Sequence, residues 1–217
     1  MKLSENTVNV LKEFSGINPA ILISAGNVLR TVSPSKTIVA KTTVDDSFPT
    51  DVALHNLSKF LGVITLMDEP DFDFNQDKVV VTDKNNYVTT MYYASVESII
   101  AAPKKDIVLP TNDASFVLKS DAISKIHRAA SVLQLPEVVI TGSNGKITVS
   151  TEDVANKSGD TFRLDIGDTD SEFRVIFKVD NLKVMPLDYT VNISSRGLAH
   201  FDNPARQYWI ATETKKA

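Results

Sequence analysis

The sequence reads as an α+β protein built from two similar halves, each with helices packed on antiparallel β-sheets. Three observations predict this class. Short runs rich in Val, Ile, Thr and aromatics recur along the chain (residues 20–24, 37–41, 78–82, 87–92, 137–141, 146–150 and 173–178), separated by Gly, Asn, Asp and Pro. Only four segments break that strand pattern with helical spacing. Those four segments fall into two pairs, one in each half and in the same order, which is the mark of an internal duplication.

Each element has its local reason. Ser4 is a capping residue for a helix through about Ser15, with Val8, Leu11 and Phe14 on one side. Ser120 opens a second helix in the same way, and Ile123, Ile126, Ala130 and Leu133 form its apolar stripe. Residues 57–67 and 179–184 are read as two shorter helices, each following a strand. Ser143-Asn144-Gly145 lies between two strand-like runs, and Asn-Gly readily takes the positive φ angles that a tight hairpin turn needs. The duplication pairs Ser4 with Ser120 and Ile23-Ser24-Ala25-Gly26-Asn27 with Ile140-Thr141-Gly142-Ser143-Asn144. It also pairs Leu54-His55-Asn56-Leu57 with Val179-Asp180-Asn181-Leu182. The halves are expected at 1–110 and 111–217. Residues 101–110, with Pro103 and Pro110 near their ends, form an extended connector.

Composition narrows the function. At 217 residues, 42% hydrophobic and 23% charged, the chain is an ordinary globular protein and not a disordered or low-complexity one. No run of 18 apolar residues is present to span a membrane. The opening MKLSENTVNVLKEF has polar and acidic residues where a signal peptide needs an apolar stretch. Zero cysteines exclude disulfides, thiolate catalysis and Cys-ligated metal, and three scattered histidines argue against a His-rich site. No cofactor is expected.

Motifs for chemistry fail on their spacing. Asp71-Phe72-Asp73-Phe74-Asn75-Gln76-Asp77 begins like a calcium loop, but the glycine of its sixth position is Gln76 and the bidentate Glu of its twelfth is Thr82. Alternating Asp and Phe suits a strand with one wet face. Asp165, Asp168, Asp170 and Glu172 lack loop spacing and read as a solvated turn. Gly145-Lys146 has neither end of a phosphate loop around it. His55, His127 and His200 lie far apart and are expected at the surface or at caps. These patterns point to binding and not to catalysis, although carboxylates distant in sequence can still meet in space.

The net charge of −4 conceals an uneven distribution. The four helical segments carry Lys2, Lys12, Lys59, Lys119, Lys125, Arg128, Lys178 and Lys183 against Glu5, Glu13, Asp121 and Asp180. That gives them +4 and leaves −8 for the rest of the chain. Lys125 and Arg128 sit three apart, on a face away from the apolar stripe. Cations without interleaved aromatic or amide base readers fit phosphate contact, which is sequence-independent and salt-sensitive.

Several stretches are similar to those of the sliding clamps, the DNA polymerase processivity factors of T-even-type bacteriophages. They are Met1-Lys2-Leu3-Ser4, Leu57-Ser58-Lys59-Phe60-Leu61-Gly62-Val63-Ile64, Ala101-Ala102-Pro103-Lys104, Ile140 through Gly145-Lys146-Ile147, and Asn181-Leu182-Lys183-Val184-Met185-Pro186 with Tyr189. The resemblance implies the DNA-clamp fold, in which each of two like domains has two helices on flanking sheets. It also implies a head-to-tail homotrimer closed into a ring, helices inside, around duplex DNA. A DNA polymerase and a clamp-loader ATPase complex would be its partners, and the cytoplasm of an infected bacterial host cell its location. On that reading Lys12, Lys59, Lys125, Arg128 and Lys183 face DNA, with Lys2 and Lys119 at helix starts as weaker candidates. Ile107, Val108 and Leu109 of the connector, with Trp209 of an exposed aromatic end Tyr208-Trp209, would receive partner tails. The alternatives are a β-rich virion structural or assembly protein and an enzyme whose carboxylates converge.

Overall fold

The computed structural model describes residues 1–156 and 158–213. They fall into two compact units, Met1–Asp106 and Ile107–Ala217.

Unit 1 begins with helix α1 (Glu5–Ile17). Ser4 caps it as expected: its backbone is extended, and its Oγ accepts the Thr7 amide at 3.2 Å. Val10, Leu11, Phe14 and Ile17 bury one face of α1. Strands β1 (Ile21–Ile23), β2 (Gly26–Val32), β3 (Ile38–Phe48) and β4 (Val52–Leu54) follow, β1 pairing with β4 and β2 with β3, both antiparallel. Helix α2 (Leu57–Leu66) opens on Asn56, whose side-chain oxygen accepts the Lys59 amide at 2.9 Å. Strands β5 (Asp71–Phe74), β6 (Lys78–Thr82) and β7 (Val88–Tyr92) complete a three-stranded sheet. On β5 the alternation is as expected, Asp71 and Asp73 wet and Phe72 and Phe74 buried. Phe72 packs against Phe60 of α2 at 5.7 Å and stacks on Phe74 at 5.8 Å, and Phe74 meets Phe48 edge-on. This aromatic chain fastens the second helix to two sheets.

Unit 2 repeats the plan. It runs β8 (Ala114–Leu118), α3 (Ser120–Leu133), β9 (Glu137–Ser143), β10 (Lys146–Glu152), β11 (Phe162–Asp168), β12 (Phe173–Lys178), β13 (Tyr189–Ser194), β14 (Leu198–Asn203) and β15 (Arg206–Ala211). Two antiparallel sheets result, in the order β11-β10-β9-β12 and β8-β13-β14-β15. The β9–β10 hairpin turns at Asn144 and Gly145, with φ of 52° and 78°, as the Asn-Gly pair predicts. Element for element, α1 corresponds to α3, β1–β4 to β9–β12, and β5–β7 to β13–β15. Even the start of the chain has its counterpart. Met1 exchanges backbone bonds with Phe72 of β5, as β8 does along β13. The core of unit 2 holds the buried Ile123 and Ile126 of α3 and a cluster of Phe177, Tyr189, Phe201 and Tyr208, whose neighbouring ring centroids lie about 6 Å apart.

Three expectations change. The segment 179–184 is a single 3-10 turn, Val179–Asn181, followed by a loop. A stretch this short does not repay helix nucleation, and Pro186 blocks its continuation. Ser120 is the first residue of α3, one position inside the expected cap. Lys119 takes the cap position without a side-chain bond, and the Asp188 carboxylate accepts the Ser120 amide at 2.9 Å. The histidines also differ from the surface reading: His55 is exposed, but His127 is half-buried and His200 stacks on Trp209 at 4.6 Å.

Asp188 thus caps α3 from a distant part of the chain. Its other oxygen binds Lys119 Nζ at 2.9 Å, and these two partners hold its carboxyl below the usual range. A lowered pKa means that the contribution is present above the ordinary carboxylate pKa and disappears as pH falls through the lowered one. Asp188→Asn keeps an oxygen that can accept the Ser120 amide but loses the charge facing Lys119, so it should reduce Tm by at most about 2 °C near pH 7. In acid, below carboxylate titration, the two melting curves should converge. A difference that persists there would show that the carboxylate is not the capping group.

Candidate nucleic-acid interface

The five cations singled out from the sequence are all exposed. On α1, Lys12 points away from the buried row of Val10, Leu11 and Phe14. Lys59 lies on the open side of α2, where Leu57, Phe60 and Val63 are the buried residues. Arg128 stands opposite Ile123, Ile126 and Ala130 on α3, with Lys125 one turn before it. Lys183 follows the 3-10 turn in unit 2. Its neighbours Leu182 and Val184 are both buried, so the alternation turns Lys183 outward. The loop is clamped where Tyr189 donates to the Met185 carbonyl at 2.9 Å and Tyr208 accepts the Met185 amide at 3.2 Å. Each unit therefore presents cations from its first helix and from its second helical segment.

Pairing separates Lys12, Lys59 and Arg128 from other basic groups of the four segments. Lys2 binds Glu69 at 3.0 Å, Lys119 binds Asp188 at 2.9 Å and Lys178 meets Glu213 at 3.6 Å. Lys12, Lys59 and Arg128 make no ion pair among the described residues. Lys125 reaches Asp121 at 3.5 Å, but both side chains are well exposed, and such a pair on a helix surface is worth only ~0.3–0.5 kcal/mol. It yields readily to a stronger anion. His127, between Lys125 and Arg128 in sequence, adds no charge near neutrality. Burial lowers its pKa, outweighing a hydrogen bond to the Leu182 backbone.

The residues expected to receive partner tails divide. Ile107 and Leu109 are half-buried and Val108 is 84% exposed. Trp209 is only 3% exposed, in the middle of β15, and Tyr208 is fully buried. The expected exposed aromatic end is thus corrected: both rings pack in the sheet of β13–β15, and neither is free to take up a tail. A cleft of about 380 Å³ does open in unit 2, lined by Asp113, Phe173, Ile176, Ile193, Gly197 and Glu213. No local sequence signal announces it, because its walls come from four separate stretches.

An α-β duplication with a cationic helix set in each half is the architecture of a DNA clamp, and comparison with known proteins agrees. Residues 2–109 match the family model described as DNA polymerase processivity factor, and residues 115–214 match gp45 sliding clamp, C terminal. The sliding clamp of Vibrio phage KVP40 is 34% identical over 98% of this chain and 99% of that one. The sliding clamp of Enterobacteria phage T4 is 29% identical over 98% and 97%. Among solved structures, the proliferating cellular nuclear antigen of Entamoeba histolytica has a TM-score of 0.67 at 16% identity, covering 95% of this chain and 94% of that one. A putative DNA polymerase III β subunit of Eubacterium rectale reaches 0.71 at 14%, over 98% of this chain and 64% of the other. The chain belongs to the phage sliding-clamp family of DNA polymerase processivity factors.

Proposed function

We propose that three copies of this chain close head-to-tail around duplex DNA and tether a DNA polymerase by topology. The observation that carries the reading is the placement of exposed cations on the helical elements of both units in a chain whose net charge is −4. Lys12, Lys59, Lys125, Arg128 and Lys183 touch phosphates weakly and without reading bases, which lets a ring slide. A ring that cannot fall off holds the polymerase at high effective concentration at the primer end. No nucleotide motif is present in the sequence, so a clamp-loader ATPase opens the ring. The site of action is the cytoplasm of an infected bacterial cell, where the phage genome is copied.

Ring closure needs one edge of each copy to accept a different edge of the next. In unit 1, β7 ends the β5-β6-β7 sheet, and in unit 2, β11 ends the β11-β10-β9-β12 sheet. Both edges carry apolar side chains open to solvent. On β7, Val88 is 61% and Tyr92 71% exposed, while on β11 Phe162, Leu164 and Ile166 are half-buried. Bare, apolar strand edges are templates for pairing with another chain. The occupant we assign to each is the opposite edge of a second copy. Ile107, Val108 and Leu109 remain the partner-tail contacts, and the unit 2 cleft lined by Asp113, Phe173 and Ile176 is the place for an apolar anchor.

The deciding measurement is polymerase processivity on primed circular DNA before and after linearisation. Retention on circles and loss from free ends is expected. Retention indifferent to ends would favour the virion structural reading.

A further inference from the structure

Among the described residues, the connector has a single hydrogen-bonded fastening. Among the described residues, none of 100–112 takes part in a backbone–backbone hydrogen bond. Among those between 100 and 110, the only hydrogen-bonding side chain is that of Asp106, the last residue of unit 1. Its two oxygens bind Arg30 on β2 and Lys41 on β3, each at 2.6 Å. Ala101, Ala102 and Lys104 are drawn along the same surface, where they line a cleft of about 320 Å³ with Leu22, Val28 and Arg30.

Arg30 and Lys41 are direct cross-strand partners in the β2–β3 ladder. Like charges directly opposite each other destabilise a strand pair, so this position needs an anion between them. Both side chains are also largely covered, at 18% and 22% exposure, whereas Asp106 is half open at 50%. The receptor is built into the sheet, and its occupant arrives on a chain segment with no other hydrogen bond among the described residues.

We propose that Arg30 and Lys41 form an anion receptor whose resident occupant is Asp106, making the connector a releasable latch on unit 1. Opening the latch frees residues 100–110 and bares a dibasic site of a kind that takes a carboxylate or phosphate group. A half-exposed carboxylate is screened by water, which keeps the latch weak enough to open. The three charged groups of the latch, Arg30, Lys41 and Asp106, all lie in unit 1, and the latch stands whether or not the ring and the DNA-facing residues are as proposed above.

The test uses the full chain. Arg30→Gln with Lys41→Gln removes the receptor and leaves the sequence around Lys104 and Lys105 intact. Limited trypsin cleavage at those two lysines should accelerate about three- to tenfold, with cleavage inside the helices unchanged. The chain has no cysteine, so a nitroxide on Val108→Cys reports the connector specifically. Its spectrum should sharpen in Asp106→Asn and stay broad in Asp106→Glu. Unchanged cleavage and an unchanged spectrum would overturn the latch. Acceleration spread equally over α1 and α2 would overturn it too, because the three charges would then serve the stability of the unit and not the path of the connector.

Discussion

Replacing Lys125 and Arg128 together with Gln should shorten the residence of the ring on a DNA circle, most clearly at low salt. Each cation seated on a phosphate adds about 0.9 to the slope of log binding against log salt, so removing both should flatten that slope by roughly two. The side chains suit such a trial. Both are exposed and on the face of α3 opposite Ile123 and Ile126, so the folded unit should be nearly indifferent to their replacement. Lys125 also surrenders only the weak Asp121 pair. Far-UV dichroism and Tm should stay within error of the parent. Sliding off linear DNA should persist, since topology and not charge enforces it. Equal residence at every salt concentration would remove α3 from the DNA-facing surface.

What the sequence revealed was local. Ser4 as a cap, Asn144-Gly145 as a turn and the Asp-Phe alternation of β5 each depend on residues within a few positions of one another, and all three stand in the structure. The charge bias of the helices was legible for the same reason: on a helix, the buried face follows from spacing, which leaves the cations to the other side. What failed depended on neighbours distant in sequence. Ser120 looked like a cap because nothing nearby announced that Asp188 would fill the role. Trp209 looked like an exposed end because its cover comes from packing within its own sheet, including His200 on the next strand. Strands β11 and β13–β15 mix polar and apolar residues without a strong run, and their pairing was found only through tertiary neighbours. The Asp106 latch joins residues more than sixty positions apart, and a lone Asp after two lysines carries no local signal.

The edge strands offer a second large effect, and one that separates folding from assembly. Val88→Asp with Tyr92→Asp places two carboxylates on β7, where the single chain leaves both side chains mostly in water. Unit 1 therefore gives up little packing, and its Tm as a dilute monomer should barely change. Assembly suffers far more. Two apolar side chains vanish from the edge, one of them a tyrosine, a residue type that often dominates interface energies at about 2 kcal/mol or more. The new charges must also be stripped of water against an edge that already carries Asp165 and Asp168. Light scattering should report the parent near roughly 71 kDa, three times the 23.8 kDa chain, and the variant near the mass of one chain. Because a head-to-tail ring uses each edge once per copy, a chain altered only on β11, by Leu164→Asp, should dissociate as fully as the β7 variant. Mixing the two variants should then form dimers and nothing larger, since only one intact edge of each kind remains to be shared. A closed trimer of the β7 variant, or mixed species larger than a dimer, would mean that the ring closes through other strands.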